Sequence, residues 1–327
     1  MVVAMSDWVG LLIQAGVTAL YLFLALMVGL LFLGIGRKIT ARIHNRVGPP
    51  VYQNFIDVGK LLSKKTNIRH NWIFDLAPLF ALAGVLLTLA YLPMGGYRLL
   101  SGQGDLIILL YIMVIPALGF ALGAGASANP NAGVGVMRAL TLMLSYEMPF
   151  LIVLLSIMIF YNTASLDVLL QKQMNFAWAI VMLPLSALAA DMALQGMMME
   201  KPFDIPLAPH EIASGPMVEF GGKYLGMLML YSAASVIVET TLFVDLFLGG
   251  GIILDPAIYG IIAYVVNYAV WFVLILVVWL IALFINAVFP RFRIEQAFKF
   301  YWKWPTIIAI IGLVQAYIMS VFMGVVP

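Results

Sequence analysis

Long apolar runs dominate the 327-residue sequence, and most of them reach the roughly 20 residues that a helix needs to cross a bilayer. Eight runs are predicted to span the membrane: Trp8–Gly36, Trp72–Pro93, Asp105–Ala128, Val136–Asn162, Phe176–Met199, Phe220–Phe247, Ile258–Phe289 and Trp304–Met323. Apolar residues form 64% of the chain and charged residues 10%, against roughly half and roughly a quarter in a soluble domain. The sequence therefore predicts an all-α integral membrane protein, with residues 1–327 forming a single transmembrane domain.

The first run is preceded by Asp7 and by no basic residue, and it is long enough to span. A cleaved signal peptide has a positively charged start and a shorter apolar centre. We therefore expect the first run to remain in the protein as a membrane helix.

Positive charges are concentrated in alternate connections between the predicted spans. Of the 17 Lys and Arg residues, 15 lie in or beside the odd-numbered connections, and only Arg98 and Lys172 lie in the even-numbered ones. Cytoplasmic loops have the excess of Lys and Arg in membrane proteins. We therefore expect a multi-pass protein of the cell membrane with both termini outside. Its cytoplasmic segments are predicted at residues 37–71, 200–219 and 290–303.

The first cytoplasmic segment contains an amphipathic pattern within Tyr52–Lys65. One helical face of that stretch holds Phe55, Val58, Leu61 and Leu62, and the other holds Asp57, Lys60 and Lys64. A helix with this pattern typically lies in the membrane interface. We therefore expect lipid to be a partner of this segment.

The second cytoplasmic segment, residues 200–219, is rich in proline and acids. Proline removes a backbone donor and breaks helices, so the segment is predicted to be irregular but stiff. Its titratable side chains are Glu200, Lys201, Asp204, His210, Glu211 and Glu219. Solvated surface is one interpretation of these charges. We favour a docking or gating surface, because Pro202–Pro206 is too constrained for a simple linker.

The chain has no cysteine and only three histidines, His44, His70 and His210. Disulfides, thiolate metal sites and cysteine-ligated iron–sulfur clusters are therefore excluded from it. No histidine pair has the spacing of a helical metal or haem site. We expect no cofactor in this chain, and any electrons to move in a partner. We expect no nucleic-acid partner.

Three acids lie inside predicted spans: Glu147, Asp191 and Glu239. An ionisable group at the centre of a span costs about 2.5 kcal/mol or more, and such residues mark proton or ion paths. Three acids on consecutive spans favour a proton or ion path. The alternative is that each acid is a protonated donor joining two helices. Asp105 and Asp245, near span ends, are expected to be solvated.

Five short motifs occur in order along the chain. They are Arg46-Val47-Gly48-Pro49, Asp57-Val58-Gly59-Lys60, Ser145-Tyr146-Glu147, Pro202-Phe203-Asp204 with Glu211 and Glu219, and Pro290–Gln296. On an eight-span map, this order resembles the membrane subunit that forms the heel of respiratory NADH:quinone oxidoreductase. It equally resembles the homologous membrane subunit of the archaeal membrane-bound nickel–iron hydrogenases.

The resemblance implies a non-catalytic subunit that joins a peripheral redox arm to ion-pumping, antiporter-like membrane subunits. It implies coupling roles for Glu147, Asp204, Glu211 and Glu219. It also implies a docking surface with its supporting ion pairs, formed by Arg46, Asp57, Lys60, Arg291, Arg293 and Glu295. Iron–sulfur clusters, and a nickel–iron centre in the hydrogenase case, are expected in the partner subunits.

The chain departs from the quinone-reducing members where their loops are acidic. Leu207-Ala208-Pro209 stands at their Glu-Ala-Glu, Met197 at an acid, Glu200 at an arginine and Gly36 at a glutamate. These departures argue against quinone reduction and favour a relative whose arm evolves hydrogen or reduces polysulfide.

The leading hypothesis is the coupling subunit of a complex-I-like hydrogenase that links ferredoxin-driven hydrogen evolution to proton movement. The alternatives are the same subunit of a sulfur or polysulfide reductase and a quinone-binding subunit. A free-standing secondary transporter is a more distant alternative, because we see no paired inverted repeats.

Overall fold

A computed structural model describes residues 2–66, 68, 70–97, 99–100 and 104–322, with the backbone alone for residues 2–14 and 256–257. Arg69, Arg98 and Met323, which enter the predictions above, lie outside the described residues. The described helices are α1 (Val2–Ile43), α2 (Gln53–Ser63), α3 (Trp72–Tyr91), α4 (Asp105–Ile112), α5 (Val114–Gly125), α6 (Pro130–Tyr161), α7 (Leu166–Asn175), α8 (Ala179–Met182), α9 (Pro184–Met197), α10 (Pro209–Ile212), α11 (Gly222–Phe247), α12 (Pro256–Tyr259), α13 (Ile261–Val288) and α14 (Ile294–Phe322). The predicted all-α fold class is confirmed.

Within the described residues, seven helical segments are long and apolar enough to cross a membrane. They are Ala15–Ile43, Trp72–Tyr91, Asp105–Gly125, Pro130–Tyr161, Gly222–Phe247, Ile261–Val288 and Ile294–Phe322. They match seven of the eight predicted spans. The remaining prediction, Phe176–Met199, corresponds to two shorter helices, α8 and α9.

Proline explains the interruption between α8 and α9. Pro184 is the first residue of α9, and Leu183 before it has a non-helical backbone, with φ −123° and ψ 58°. A proline disfavours the helical conformation of the residue that precedes it. A milder interruption separates α4 from α5 at Met113. There Pro116 cannot donate to the carbonyl of Ile112.

The α8–α9 pair still extends from one end of the helix bundle to the other. Gln173, in α7, donates to the carbonyl oxygen of Asp245 at the C-terminal end of α11, at 2.9 Å. Gln195, near the C-terminus of α9, donates to the carbonyl oxygens of Lys201 and Ala282. We call the end that holds residues 200–219 the loop end, and the other the far end.

Helix α11 packs closely against α1 and α2 because small residues lie at the contact. A Cβ atom built on Gly29 of α1 would lie 2.2 Å from the carbonyl oxygen of Ala233 in α11. Val58, on the buried face of α2, joins Leu30 and Ala233 in one apolar cluster. Helix α2 is thus the amphipathic helix predicted in the first loop.

Two details differ from the sequence predictions. Residues 290–303, predicted as a basic loop, are helical from Ile294 onward, since no glycine or proline interrupts the chain between Ile294 and Trp304. Asp105 and Asp245, predicted to be solvated, are fully buried. Sequence spacing does not reveal which helix face an acid occupies, so it could not distinguish a buried acid from a solvated one.

Candidate functional site

Arg291 holds the proline-rich segment 200–219 against the start of α14. Its Nη2 donates to Oδ2 of Asp204 at 2.6 Å, and its Nη1 lies 3.5 Å from Oε1 of Glu211. The side chains of Arg291 and Asp204 are each 18% exposed. Burial raises the pKa of Asp204, and the hydrogen bond from Arg291 opposes that rise. Arg291 therefore favours the charged form of a largely buried carboxyl group.

Glu211 extends this chain of charges to α6. Nη1 of Arg138 donates to Oε2 of Glu211 at 2.9 Å. That hydrogen bond, together with the charge of Arg138, holds the pKa of Glu211 below its ordinary value. We call Arg138, Glu211, Arg291 and Asp204 the ion-pair ladder. It connects α6, residues 200–219 and the segment that leads into α14.

Phe203 anchors the same segment in the apolar core. It is 3% exposed, and its ring contacts the rings of Phe292, Phe300 and Tyr301. The backbone N–H of Phe292 donates to the carbonyl oxygen of Pro202 at 2.9 Å. These contacts hold in place the segment that carries Asp204 of the ladder.

Glu219 joins three loop-end segments. Nδ2 of Asn129, before α6, donates to its Oε1 at 2.7 Å. Nε2 of His70, before α3, lies 3.7 Å from its Oε2. Residues 37–71 and 200–219 and the start of α6 therefore meet at one carboxylate.

A cavity of about 510 Å³ lies at the loop end, between the end of α1, residues 46–49, α11 and α13. We call it the loop-side cavity. Its charged lining residues are Arg37, Arg46 and Glu200, and Trp279 and Leu283 supply apolar wall. A Cβ atom on Gly36 would lie 3.0 Å from the Trp279 ring. The ring thus occupies the space that a larger side chain at position 36 would need.

Glu200 lines this cavity three residues after the end of α9. It accepts a hydrogen bond from the side chain of Asn286, and burial followed by the charge of Asp204 raises its pKa to about 7. The attraction of Lys201 opposes that rise. Glu200 can therefore gain or lose a proton near neutral pH.

A second, smaller cavity of about 70 Å³ lies among α3, α4, α5, α6 and α11, and we call it the inner pocket. Glu147 and Glu239 both line it, together with Tyr146, Tyr231 and Ser235. A water needs only about 10–15 Å³ of such volume and two to four polar partners. The pocket therefore has room and partners for water between the two carboxyls. The α4–α5 interruption at Met113 forms part of its wall.

Glu239 connects the inner pocket to Glu200. It is 9% exposed, and its carboxyl interacts electrostatically with that of Glu200. Its Oε2 has no hydrogen-bond partner among the described residues. Tyr146 lies within electrostatic range of both Glu239 and Glu147. The acids are therefore arranged in the order Glu200, Glu239, Glu147.

Other predicted site residues lie apart from these groups. Asp191 is partly buried on α9 and lines neither cavity. His210, Lys60, Arg293 and Glu295 are exposed. Asp57 pairs with Arg37 at 3.4 Å and accepts a hydrogen bond from Gln53. No group of three or more His, Asp or Glu side chains suited to a metal ion occurs in the described part of the chain.

Sequence reasoning missed several polar partners of the acids. Arg138 entered it only as a loop charge, and Asn129 and Asn286 did not enter it. Tyr146 was noted only as the middle of Ser145-Tyr146-Glu147. The available signal was a polar side chain within or beside an otherwise apolar run, as at Asn286 in α13.

A family model described as NADH dehydrogenase matches residues 16–317. The chain belongs to the NADH dehydrogenase family. Its relatives in this family include the H subunits of the NADH-quinone oxidoreductases of Bacillus thuringiensis (strain Al Hakam) and Bacillus anthracis (strain CDC 684 / NRRL 3495). Each is 30% identical, over 91% of this chain and 91% of its own. The resemblance stated from the five motifs is thereby confirmed.

A solved relative is a chain of the membrane-bound sulfane sulfur reductase, an archaeal respiratory membrane complex. It is 43% identical, with a TM-score of 0.87, over 94% of this chain and 99% of that one. This member of the NADH dehydrogenase family is therefore a multi-pass membrane subunit of a complex-I-like oxidoreductase. Its relatives belong to multi-subunit respiratory membrane complexes, so oxidoreductase partners are expected for it in general terms.

Proposed function

We propose that this chain is the ion-translocating coupling subunit of a complex whose peripheral arm reduces sulfane sulfur. The 43% identity to a chain of the sulfane sulfur reductase, across nearly the whole length of both, supports this choice most directly. The quinone-linked relatives are 30% identical. Hydrogen evolution, the leading hypothesis from the sequence, becomes the second candidate, because the same departures from the quinone-reducing members favour it.

The loop-side cavity supports a role without quinone. Gly36 lies in its wall where the quinone-reducing members have a glutamate, and Trp279 lies over that position. Arg37 and Arg46 line it together with Glu200, the glutamate that replaces an arginine of those members. The charges around this cavity thus differ from those expected around a quinone head group.

In the proposed mechanism, partner subunits hold the iron–sulfur clusters and perform the reduction. Residues 200–219 and the ion-pair ladder lie where a docked arm would touch this chain. A change of charge or position there alters the electric field at Glu200. Glu239 and Glu147 then move the proton toward the antiporter-like membrane subunits.

The test uses the intact complex purified from membranes and reconstituted in vesicles. We expect it to reduce polysulfide with a reduced ferredoxin-like donor and to acidify or alkalinise the vesicle interior in step. Hydrogen evolution without polysulfide reduction would mean that protons, and not sulfur, are the electron acceptor, and would favour the second candidate. Reduction that depends on added quinone would overturn both choices.

Coupling is tested by Glu147→Gln, with Asp167→Asn, at an exposed acid of α7, as the matched control. We expect Glu147→Gln to retain reduction with artificial donors and to lose proton movement, while the control retains both. Unchanged proton movement in Glu147→Gln would make Glu147 a structural residue.

A further inference from the structure

Glu200 differs from the other described acids of residues 200–219 in its partners. Asp204 and Glu211 are bound to arginines at 2.6 Å and 2.9 Å. Glu219 accepts from Asn129 and lies beside His70. Glu200 has an amide, Asn286, as its hydrogen-bond partner. Its carboxyl is thus free to exchange a proton without breaking an ion pair.

Glu200 lines one cavity and interacts with an acid that lines the other. It lines the loop-side cavity of about 510 Å³, a volume that accommodates many waters. It also interacts electrostatically with Glu239, which lines the inner pocket with Glu147. A carboxyl in this position can receive a proton from the water of one compartment and deliver it to an acid of the other.

The charged and titratable groups around Glu200 come from four elements. Lys201 and Asp204 lie on its own segment, Arg37 lies at the loop end of α1, and Arg46 follows α1. Glu239 faces it from α11. Asn286 of α13 is polar but does not titrate. Burial and Asp204 disfavour the charged form, which places the pKa of Glu200 at about 7.

We propose that Glu200 is the proton-uptake site of this chain, which loads a proton from the loop-side cavity and passes it to Glu239. The carboxylate of Glu200 gains a proton from cavity water and becomes neutral. Transfer to the Glu239 carboxylate restores the charge on Glu200 and leaves Glu239 protonated. Glu239 then passes the proton to Glu147 through the inner pocket. This inference rests on the proposed function, since it names the point at which the translocated proton enters.

The ion-pair ladder can regulate proton uptake by Glu200. A negative charge on Asp204 disfavours a negative charge on Glu200. Arg291 is paired with Asp204 at 2.6 Å, so a movement of Arg291 acts on Glu200 through Asp204. A displacement of Arg291 or Asp204 on docking or reduction of the arm therefore changes the proton affinity of Glu200 directly.

The experiment compares Glu200→Gln, Glu200→Asp and the control Asp167→Asn, at an exposed acid of α7, in the intact complex, reconstituted in vesicles that contain a pH-sensitive dye. We expect Glu200→Gln to lower proton movement per electron by at least about tenfold, as for loss of a positioned proton-transfer group. Polysulfide reduction with artificial donors is expected to continue. Asp167→Asn should behave as the unchanged protein.

The pH profile separates proton transfer from a structural role. Glu200 must be protonated before it can pass a proton on, and the protonated fraction falls above its pKa. Pumping by the unchanged complex should therefore decline as pH rises through about 7. Glu200→Asp should retain pumping but shift that decline to lower pH, because aspartate has the lower intrinsic pKa. If Glu200 had only a structural role, the pH at which pumping falls to half would be the same in Glu200→Asp as in the unchanged complex.

Two results would overturn the inference. If Glu200→Gln pumps normally while Glu147→Gln does not, the uptake site is wrong and the proposed function stands. If neither variant affects pumping, the ion path through this chain fails as well. Should Glu200→Gln fail to assemble, an unshifted pH profile in Glu200→Asp overturns the uptake site by itself.

Discussion

The side chain of Arg291 illustrates what a single residue does at the loop end. From the sequence, we placed it among the docking residues and their supporting ion pairs. It is turned inward, onto Asp204 and Glu211, with 18% of its side chain exposed. Sequence supplies the sign of a charge but not the direction of its side chain. Arg293, two residues later, is exposed, and nothing in the sequence distinguishes the two arginines.

Replacing Arg291 with alanine should destabilise the protein in a pH-dependent way. Removing one member of a buried ion pair costs roughly 3–5 kcal/mol, and partial exposure should reduce the loss to about 2–3 kcal/mol at neutral pH. Without Arg291, burial raises the pKa of Asp204 further above its unfolded value. The variant is therefore most stable at a pH below the pKa that Asp204 has in the unfolded chain. It loses stability as pH rises from that value through the higher pKa that Asp204 has in the folded protein.

The measurement is the melting temperature of the purified complex at acidic and alkaline pH. The deficit of Arg291→Ala should be larger at pH 8 than at pH 5. Arg293→Ala is the matched control, because its exposed side chain should contribute within about 0.5 kcal/mol. If both variants lowered the melting temperature equally, the ion pairs of Arg291 would not be the source of its stabilising effect.

At the scale of the helices, hydropathy predicted seven spans that the structure contains, one of them interrupted at Met113. It did not predict how the remaining run breaks. The run Phe176–Met199 is apolar throughout, yet Pro184 divides it. Pro184 itself was the available signal. The starts of helices were less predictable, since α14 begins at Ile294 rather than at Trp304. The close approach of α1 to α11 was not predictable, because one sequence does not pair helix faces.

The contact between α1 and α11 makes a prediction at this scale. A Cβ atom on Gly29 would lie 2.2 Å from a backbone oxygen of Ala233, and helix backbones do not yield as a flexible side chain does. Overpacking of this kind typically costs about 1–3 kcal/mol. Gly29→Ala should therefore lower the melting temperature and loosen α2, which packs on both helices.

Gly16→Ala on the same helix is the matched control, since no atom lies within 4 Å of a Cβ atom there. It should leave the melting temperature unchanged or raise it slightly, because alanine is the better helix former. Limited trypsin digestion at Lys64 and Lys65 reports on α2. A Gly29→Ala protein as stable and as protease-resistant as Gly16→Ala would show that the helices can separate without cost.

At the scale of the whole molecule, all three predicted cytoplasmic segments meet at one end of the bundle. Glu219 contacts residues before α3 and α6, and Arg291 contacts residues 200–219. The charge asymmetry of the sequence predicted which segments belong together, because Lys and Arg are retained on the cytoplasmic side. It did not predict the ladder or the cavities, which depend on side chains brought together from distant parts of the chain.

The side of the membrane on which this end lies is a prediction that thiol labelling can test. The chain has no cysteine, so single-cysteine variants need no other change. Val47→Cys and His210→Cys, at exposed positions of the loop end, should react with an impermeant maleimide only after the membrane is permeabilised. Gln171→Cys, exposed in α7, should react in intact cells.

The unaltered, cysteine-free chain is the control for this labelling. Labels at His210 and Gln171 flank α8 and α9, so opposite accessibility means that this broken pair crosses the membrane. Accessibility from the same side would leave seven crossings and would place one terminus in the cytoplasm.

The ladder and the Asn129–Glu219 hydrogen bond also constrain the order in which the protein is assembled. Arg138 and Glu211 are 73 residues apart in sequence, Asn129 and Glu219 are 90 apart, and Asp204 and Arg291 are 87 apart. During synthesis, the helices before α14 can enter the membrane while Asp204 and Glu211 still lack Arg291. The loop end is therefore completed only when the last helix begins to emerge from the ribosome. A partner that recognises the finished ladder would thus bind full-length chains and pass over nascent or truncated ones.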